Sequence, residues 1–507
     1  MEINRRGFLF GSAAAVTLAG CNTAKAGVRQ LKPGEKRNIA MIGYGIQMRT
    51  ALIPQFLNKK YAPNVRIVAV CDCDRKRREA GAKQVNNAYK SNDCRAVADF
   101  REVLRDPTID MVCIATPDHW HAYIAVEAMK HGKDVYCEKP MTFSIDEARK
   151  VIAAQEKYDR VFQTGSMQRS WREFRDAVSL VRGGLIGDVK YVDANYGKGG
   201  AKLGGPSHPV RFWDDPNNAA KEGAPNPDVD WLMWLGPARM RPYSDQLAPR
   251  GVNGFYPMFW RFDDDIGSGY NGDWGAHHLD IAQWGMGMDK SGPYKIICSD
   301  EPHSTNLYHG GRRQFGMKML FRKPYGDIEL YHGPFGVWGT VFYGTKGIVA
   351  VNRGKIAVWT GFDATSTRPT EDVRKALQDV SFMKDHIVAE SVGKDYGTDA
   401  AVKADNRLDA ALDLLEKKFA AEIEKAGLYV SPNQIQNFCE CIDSRKMTIS
   451  PAEVGGRSCT LCLLCNMSYV YDTGFDWDPV NMQLADGEAK GISTKREVYR
   501  NGWEIVV

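Results

Sequence analysis

A glycine turn between a short apolar strand and a helix constrains this 507-residue chain most. Asn38 to Ile42 form an apolar run that ends in Gly43-Tyr44-Gly45, and a helical pattern follows from Ile46 to Leu57. A second apolar run, Val65 to Cys71, ends at Asp72. The first glycine allows a tight turn, and the second lets the backbone approach a pyrophosphate at the start of the helix. The whole pattern predicts the first half of a dinucleotide-binding unit.

The acid after the second strand indicates which dinucleotide is bound. Asp72 is placed to accept hydrogen bonds from ribose hydroxyls, and its carboxylate favours NAD over NADP because it repels a 2′-phosphate. The pattern departs from the usual one in two places: Met48 stands at the third glycine, and Asp72 comes 29 residues after Gly43 rather than about 20. The basic run from Arg75 to Arg78 follows. If it is not simply a solvated first turn of a helix, it leaves NADP open.

Two further strands end in polar motifs. The apolar run from Met111 to Ala115 ends in Thr116-Pro117-Asp118-His119-Trp120-His121. The run from Asp134 to Cys137 leads into Glu138-Lys139-Pro140. In open parallel sheets, ligands bind outside the carboxyl ends of the strands. Both motifs are therefore expected at the cofactor edge of the sheet.

These motifs, in this order, resemble the glucose–fructose oxidoreductase/inositol dehydrogenase/MocA (Gfo/Idh/MocA) family. The resemblance continues through TGSMQR at 164–169, GDWGAHHLD at 272–280 and FDWDP at 475–479. It implies an α/β protein with an N-terminal Rossmann domain and a C-terminal α+β domain whose open sheet is mainly antiparallel. The predicted segments are a signal at 1–20, a tether at 21–35, the Rossmann domain at 36–160 and the substrate-binding and oligomerisation domain at 161–507.

The resemblance also implies the residues of the site. The catalytic set would be Lys139, Asp273 and His277. Tightly bound NAD, with NADP as the alternative, would be held by Gly43, Gly45, Ile46, Asp72, Thr116, Pro117, His121, Glu138, Lys139 and Gln168. His119 and Trp120 are interpreted either as part of this site or as structural residues.

The chemistry of a sugar dehydrogenase suits the catalytic set. Oxidation of a ring alcohol needs a base for the hydroxyl proton while hydride leaves for the nicotinamide. Histidine is the side chain whose pKa usually lies near neutral pH, so His277 suits the base. Asp273, four residues earlier, would share a helix face and orient the imidazole of His277. Lys139 would hold the substrate hydroxyl and stabilise a developing alkoxide. A solvated lysine and an ordinary helix contact are the structural alternatives.

The second half of the chain combines alternating strands with aromatic loops. Strands are predicted at 190–196, 315–321, 327–331 and 339–343. The loops are rich in Trp, Arg and Asp, which suit carbohydrate because rings stack on CH faces and polar groups bind hydroxyls. The substrate candidates are Arg169, Arg211, Trp213, Arg261 and His278, with packing of the loop core as the alternative.

The N-terminus predicts export. Arg5-Arg6-Gly7-Phe8-Leu9 and the apolar run that follows match a twin-arginine signal, and Leu18-Ala19-Gly20-Cys21 matches a lipobox. We expect a periplasmic protein anchored to the membrane by lipid at Cys21; an uncleaved apolar segment or a non-lipid signal is the alternative. A periplasmic dinucleotide enzyme should hold its cofactor tightly because free dinucleotide is scarce there. The net charge of +5 does not indicate a nucleic-acid partner.

Two segments stand apart from the family pattern. Residues 363–432 are interpreted as an insertion that acts as a lid, an oligomer contact or a surface decoration. They contain an amphipathic helix from Asn406 to Lys425. Cys459, Cys462 and Cys465 predict a buried helix from Ala452 to Tyr471, with a metal site or disulfide as the alternative.

The predicted function is hydride transfer between a sugar or glycoside ring hydroxyl and a tightly bound nicotinamide cofactor, which leaves a keto sugar. A first alternative is an NAD-dependent glycoside hydrolase that acts by transient oxidation and elimination. A second is a sugar-binding lipoprotein without catalysis. The open sheet face predicts a homo-oligomer, a dimer or a tetramer.

Overall fold

The computed structural model describes residues 29, 31–195, 220–254, 259–263, 265–298, 317–332, 338–377, 384–392, 406–471, 473–487, 492–496 and 502–507. The twin-arginine segment, Cys21, Arg211 and Trp213 lie outside the described residues. The described chain forms two sheets, of six and ten strands. No helix in these ranges is long and apolar enough to cross a membrane.

The first sheet is parallel and has the strand order β3-β2-β1-β4-β5-β6. Its strands are β1 (Arg37–Ile42), β2 (Val65–Cys71), β3 (Arg95–Val97), β4 (Met111–Ile114), β5 (Asp134–Cys137) and β6 (Phe162–Thr164). Its helices are α1 (Ile53–Leu57), α2 (Arg75–Tyr89), α3 (Phe100–Arg105), α4 (Asp118–Lys130) and α5 (Ile145–Tyr158). The predicted Rossmann fold is confirmed, and its sheet extends past the predicted boundary at residue 160.

The strand order of this sheet places the binding crevice. Strand β1 pairs with β2 on one side and with β4 on the other, so the chain reverses its direction of winding at β1. Ligands of open α/β sheets bind at such a point, outside the carboxyl ends of the strands. Every residue of β4 and β5 is buried, which explains why these strands read as continuous apolar runs.

The second sheet is mixed and mainly antiparallel, as predicted. Its order is β14-β13-β12-β11-β7-β10-β9-β8-β15-β16, and β7 and β10 are its parallel neighbours. Its strands are β7 (Val189–Ala194), β8 (Lys295–Ile297), β9 (Met317–Phe321), β10 (Ile328–His332), β11 (Thr340–Gly344), β12 (Gly347–Asn352), β13 (Lys355–Thr360), β14 (Ile387–Val392), β15 (Phe475–Asp478) and β16 (Gln483–Leu484).

The remaining helices of the described chain follow β6 in sequence. They are α6 (Arg172–Gly183), α7 (Trp231–Leu235), α8 (Phe259–Phe262), α9 (Ala276–Gly285), α10 (Glu371–Ala376), α11 (Asn406–Lys418), α12 (Ala420–Ala426), α13 (Gln434–Ser444) and α14 (Ala452–Tyr471). Helices α6, α9 and α14 bury their apolar faces in the large core shared with one face of the second sheet.

Strands β11 to β13 are buried on both faces. In β11, Phe342 joins the core under the helices, whereas Val341 and Tyr343 join a separate cluster with Trp359 and Leu377. Leu377 directly follows α10, so the chain covers this part of the outer face with its own residues. The covered strands are therefore not an open assembly face.

The segment predicted to be an insertion is integrated into the fold. Strand β14 extends the second sheet along β13. Leu408, Leu412 and Leu415 of α11 are buried, as the amphipathic pattern predicts, and Glu416 forms an ion pair of 2.8 Å with Arg172 of α6. Part of the segment is thus structural, which argues against a freely moving lid.

Helix α14 confirms the predicted core helix. Cys459, Cys462 and Cys465 are all buried within it as free thiols. The Cys459 thiol donates to the carbonyl oxygen of Thr142 at 3.2 Å, and that of Cys462 to the carbonyl oxygen of Ser458 at 3.4 Å. Among the described residues, no group of His, Cys, Asp and Glu has the arrangement of a metal site.

Candidate active site

The glycine turn after β1 has the backbone that a pyrophosphate site requires. Gly43 has φ of +88°, and a Cβ there would lie 2.7 Å from the carbonyl oxygen of Ala115, so only glycine fits. A Cβ at Gly45 would meet nothing within 4 Å, and Ile46 is exposed. The helix then begins with a π-type turn, Met48–Leu52, in which the side chain of Met48 is buried. The turn is open where a phosphate would approach.

Asp72 follows β2 beside this turn. Its carboxylate accepts the backbone N–H of Tyr44 at 2.7 Å and that of Asp74 at 2.8 Å. Burial raises the pKa of the carboxyl. Asp72 therefore braces the glycine turn, and each of its oxygens keeps a second lone pair for a ribose hydroxyl.

The Thr116 motif lies at the carboxyl end of β4. Both ring nitrogens of His121 face backbone carbonyls, Nδ1 that of Pro140 at 2.7 Å and Nε2 that of Thr116 at 2.9 Å. The ring therefore joins the ends of β4 and β5, and its predicted contact with the nicotinamide stays a prediction. Pro117 caps α4, and the buried hydroxyl of Thr116 has no hydrogen-bond partner among the described residues.

His119 and Trp120 are structural in this fold. His119 Nε2 lies 3.1 Å from the carbonyl oxygen of Trp234, and Trp120 Nε1 donates to the same oxygen at 3.1 Å. Burial holds the pKa of His119 well below its usual range. These two side chains tie α4 to α7.

The Glu138-Lys139-Pro140 motif follows β5, with a cis peptide bond before the proline. Glu138 accepts the amide of Gln47 at 3.2 Å, and a Cβ on Gly165 would lie 2.7 Å from its carboxylate. The glycine of the TGSMQR segment therefore leaves room for this acid beside the crevice.

Lys139 reaches across the crevice to the second part of the chain. Its Nζ donates to Asp273 Oδ1 at 2.6 Å and to the carbonyl oxygen of Asp273 at 2.9 Å. Arg261 Nε lies 3.3 Å from the other carboxylate oxygen of Asp273. Burial opposes ionisation of Asp273, but the charges of Lys139 and Arg261 outweigh it and hold the carboxyl pKa well below its usual range. The predicted Lys139 and Asp273 thus form one ion pair, with the substrate candidate Arg261 beside it.

His277 is a neighbour of this ion pair rather than a partner of Asp273. Its ring is buried, and Nδ1 has no hydrogen-bond partner among the described residues. Burial, then the charges of Arg353 and Lys139, hold the pKa of the imidazole well below its usual range. Asp273 lies in a π-type turn, Asn271–Gly275, ahead of α9, and its carboxylate oxygens bind Lys139 and Arg261 rather than His277. His277 is uncharged near neutral pH and can accept a proton.

Sequence reasoning missed Arg353, which closes the far side of the site. It lies between β12 and β13 and donates to Gln168 Oε1 at 3.0 Å. Its guanidinium lies over the ring of Trp274, 4.6 Å from the centroid. Gln168 in turn donates to the carbonyl oxygen of His277 at 3.4 Å, so the predicted Gln168 connects the two. An Asn-Arg-Gly turn between two apolar runs was the available signal.

Two predicted substrate residues are corrected by the structure. Arg169 is 1% exposed and forms hydrogen bonds to Asp280 and Asp289, so its guanidinium is structural. His278 is also buried, stacked on Trp274 on the inner side of α9, and burial lowers its pKa to about 3.

The residues at the crevice fit a dinucleotide. The open glycine turn suits a pyrophosphate, Asp72 suits a ribose, and the unpartnered hydroxyl of Thr116 lies at the next strand end. The Lys139–Asp273 pair and uncharged His277 lie beyond these groups, where a substrate would meet the bound cofactor.

Comparisons with known proteins agree with this geometry. Residues 37–166 match the family model described as Gfo/Idh/MocA oxidoreductase family, NAD-binding Rossmann fold, and residues 209–315 match its C-terminal alpha/beta domain. An inositol 2-dehydrogenase of Rubrobacter xylanophilus is 34% identical over 25% of this chain and 34% of its own length. A glycosyl hydrolase family 109 protein of Saccharopolyspora erythraea is 29% identical over 37% of this chain and 44% of its own.

The chain thus aligns with less than half the length of these curated relatives. Among solved structures, an oxidoreductase domain protein from Kribbella flavida superposes with a TM-score of 0.52 at 16% identity, covering 87% of this chain and 99% of the other. That likeness concerns the fold. The two family-model matches identify residues 37–166 and 209–315 as the two domains of a Gfo/Idh/MocA oxidoreductase.

Proposed function

We propose that this protein transfers hydride between a ring hydroxyl of a sugar or glycoside and a tightly bound nicotinamide cofactor, giving a keto sugar. The observation that carries the proposal is the Lys139–Asp273 ion pair beside buried, uncharged His277, at the carboxyl edge of the Rossmann sheet. Dehydrogenation of an alcohol needs a proton acceptor and a cation at the reacting oxygen, and the crevice brings both together.

Each residue of the set has a distinct part in this scheme. His277 accepts the hydroxyl proton, because its imidazole is uncharged at neutral pH. Lys139 has three N–H groups and gives two of them to Asp273, so the third is available for the substrate oxygen. Asp273 stays ionised and fixes both Lys139 and Arg261, and Arg261 binds a neighbouring hydroxyl.

The cofactor would be held by the glycine turn, Asp72, Thr116, Glu138 and Gln168. When bound, the nicotinamide supplies the acceptor for the substrate hydride. Tight binding matches the proposed location outside the cytoplasm, where little free dinucleotide is available.

The first experiment identifies the nucleotide carried by the protein as purified. The mature chain is isolated without added nucleotide and denatured, and the released small molecules are identified by mass spectrometry. We expect NAD or NADP at close to one per chain. A protein that releases none and also fails to bind added dinucleotide would overturn the redox proposal and favour a sugar-binding lipoprotein.

Cleavage of a glycoside through transient oxidation is a second candidate. The match to a protein named glycosyl hydrolase family 109 covers more of this chain than the match to inositol 2-dehydrogenase. The same proton acceptor and cation would serve both reactions. Product analysis on a glycoside panel separates them: free hexose with no accumulated keto sugar indicates cleavage, whereas a stable keto product with reduced cofactor indicates dehydrogenation.

Export, lipid attachment and assembly are further parts of the proposal. They are supported by the twin-arginine pattern, the lipobox at Cys21 and the partly exposed side chains of β9 on the second sheet. Incorporation of labelled fatty acid that disappears in Cys21→Ser tests the anchor. Sedimentation of the mature protein tests the dimer or tetramer.

A further inference from the structure

The segment 226–254 is fixed against the end of β2, next to Asp72. The backbone N–H of Arg75 donates to the carbonyl oxygen of Asp228 at 2.7 Å, and that of Asp230 to the carbonyl oxygen of Cys73 at 3.1 Å. Asp74 and Val229 form an antiparallel β-bridge. Backbone bonds therefore hold this segment beside the residues expected at the adenosine ribose.

The same segment engages the basic run at the start of α2. The carboxylate of Asp228 accepts from Arg75 and, at 2.8 Å, from Lys76. The guanidinium of Arg77 donates to the carbonyl oxygens of Pro249 and Gly254, each at 3.2 Å. Hydrogen bonds from Lys76 and Arg75 lower the pKa of Asp228, so it stays ionised.

The position of these cations decides which dinucleotide fits. At the end of β2, an acid accepts the ribose 2′-hydroxyl of NAD, whereas a nearby arginine accommodates the 2′-phosphate of NADP. Arg75 and Lys76 come three and four residues after Asp72 and are half-exposed. They would be the natural partners of a 2′-phosphate if no carboxylate occupied them.

On the basis of the proposed function, we propose that Asp228 sets the preference for NAD over NADP. Its carboxylate engages both Arg75 and Lys76 and halves their net charge beside Asp72, so a 2′-phosphate finds weaker attraction and fewer free donors than the basic run alone would offer. The specificity residue lies on the second part of the chain, more than 150 residues from the fingerprint that it modifies.

Asp228→Asn is expected to fold, because the amide keeps the size of the side chain, the two cations are half-exposed to water, and the backbone bonds of the segment remain. The resident nucleotide is removed, and NADH and NADPH are titrated separately by fluorescence. The wild type should bind NADH more tightly. In Asp228→Asn the dissociation constant of NADPH divided by that of NADH should fall about tenfold, mainly through tighter NADPH binding.

Asp93→Asn is the matched control. Asp93 forms an exposed ion pair of 2.5 Å with Arg66 beyond the other end of α2. This change also removes one negative charge, but at a place distant from the expected ribose. Its binding ratio should equal that of the wild type. An unchanged ratio in Asp228→Asn, with both nucleotides bound, would overturn the selectivity proposal.

A double variant, Arg75→Ala with Lys76→Ala, tests the proposal independently of Asp228. In the wild-type background it should change the ratio by less than about twofold, because both cations are already engaged. In the Asp228→Asn background it should abolish the gain in NADPH binding. A marked loss of NADPH binding from the double variant alone would contradict the proposal. A wild type that binds neither nucleotide would overturn the proposed function itself.

Discussion

Two ion pairs of similar composition behave differently in this molecule. Lys139 and Asp273 meet across the crevice with side chains 16% and 17% exposed, and the lysine has an N–H beyond those given to Asp273. Arg169 and Asp280 meet in the core with side chains 1% exposed, and the guanidinium is shared with Asp289. Both pairs join the first part of the chain to the second.

The two pairs differ in the hydrogen-bond donors that each cation leaves unused. Arg169 is surrounded by two carboxylates and the ring of Trp284, so it has no access to a ligand. Lys139 faces the crevice and is fixed in place by its partner. An ion pair therefore points to catalysis when it is partly exposed and leaves donors unused, and to structure when it is buried and saturated.

The largest expected effect is the loss of turnover when the partly exposed pair of Lys139 and Asp273 is broken. Lys139→Met should reduce turnover by about 10²- to 10⁴-fold, because the reacting oxygen loses its cation, and His277→Ala should do the same through loss of the proton acceptor. The free energy of unfolding of Lys139→Met should fall by about 1–3 kcal/mol, because the partly buried Asp273 is left with Arg261 as its cation. Steady-state kinetics and urea unfolding measure the two quantities.

The control for Lys139 is Lys150→Met, which removes an exposed lysine paired with Asp146 on α5. It should leave turnover and nucleotide content unchanged. Full activity in both Lys139→Met and His277→Ala would contradict the assignment of the site.

The second effect concerns the buried pair. Arg169→Met should lower the free energy of unfolding by about 3–5 kcal/mol, because it leaves Asp280 buried without a cation. Urea denaturation measures the loss. Arg169→Lys should lose less, since it keeps the charge but not the forked geometry. A fully stable Arg169→Met with altered substrate affinity would restore the predicted substrate role and break the comparison.

The third prediction is a shift in pH dependence. The active form of His277 is uncharged and its pKa is lowered, so activity should fall only well below pH 6.5. Arg353→Gln removes one of the charges that lower this pKa, so the acid limb of kcat/KM should move to higher pH. It should still lie below 6.5, because burial is the larger cause.

Arg322→Gln is the control for this shift, since Arg322 lies over the ring of Tyr294, on the second sheet. Its pH profile should match the wild type. An acid limb that stays in place in Arg353→Gln would show that another group titrates.

The smallest effect separates the two acids around Arg169. Asp289 is 25% exposed in its side chain, whereas Asp280 is 1% exposed. Asp289→Asn should therefore lower the free energy of unfolding by only about 1 kcal/mol, because water compensates for part of the lost bond. A loss as large as that of Arg169→Met would show that the two acids act as one unit.

The sequence predicted those site residues that directly follow a strand. Lys139 and the glycine turn each come directly after a strand, and parallel strands bring their ends to one edge. The expected pairing of Asp273 with His277 does not form because Lys139 and Arg261 bind the two carboxylate oxygens of Asp273, and helical spacing does not reveal these partners. Arg353 and Arg169 depend on partners more than 100 residues away, which spacing along the chain does not reveal.

Prediction of the strands was also limited by contacts between distant parts of the chain. Strands β7, β9, β10 and β11 were predicted because one face of each was expected to be apolar and the other polar. Strands β12 and β13, which like β11 are buried on both faces, were not predicted, and the structure shows β11 buried where a polar face was expected. The cover over them comes from α10, in a segment interpreted as an insertion, and only tertiary packing assigns it there.

The buried imidazoles have a consequence for the conditions in which this fold survives. His119, His277 and His278 are all held uncharged by burial, the last with its pKa lowered to about 3. An unfolded histidine takes up a proton near pH 6.5, so below that value protons favour the unfolded chain by about 1.4 kcal/mol per pH unit for each such residue. These histidines therefore make the fold less stable as the pH falls below about 6.5, and a chain exported beyond the buffered cytoplasm would meet such acid directly.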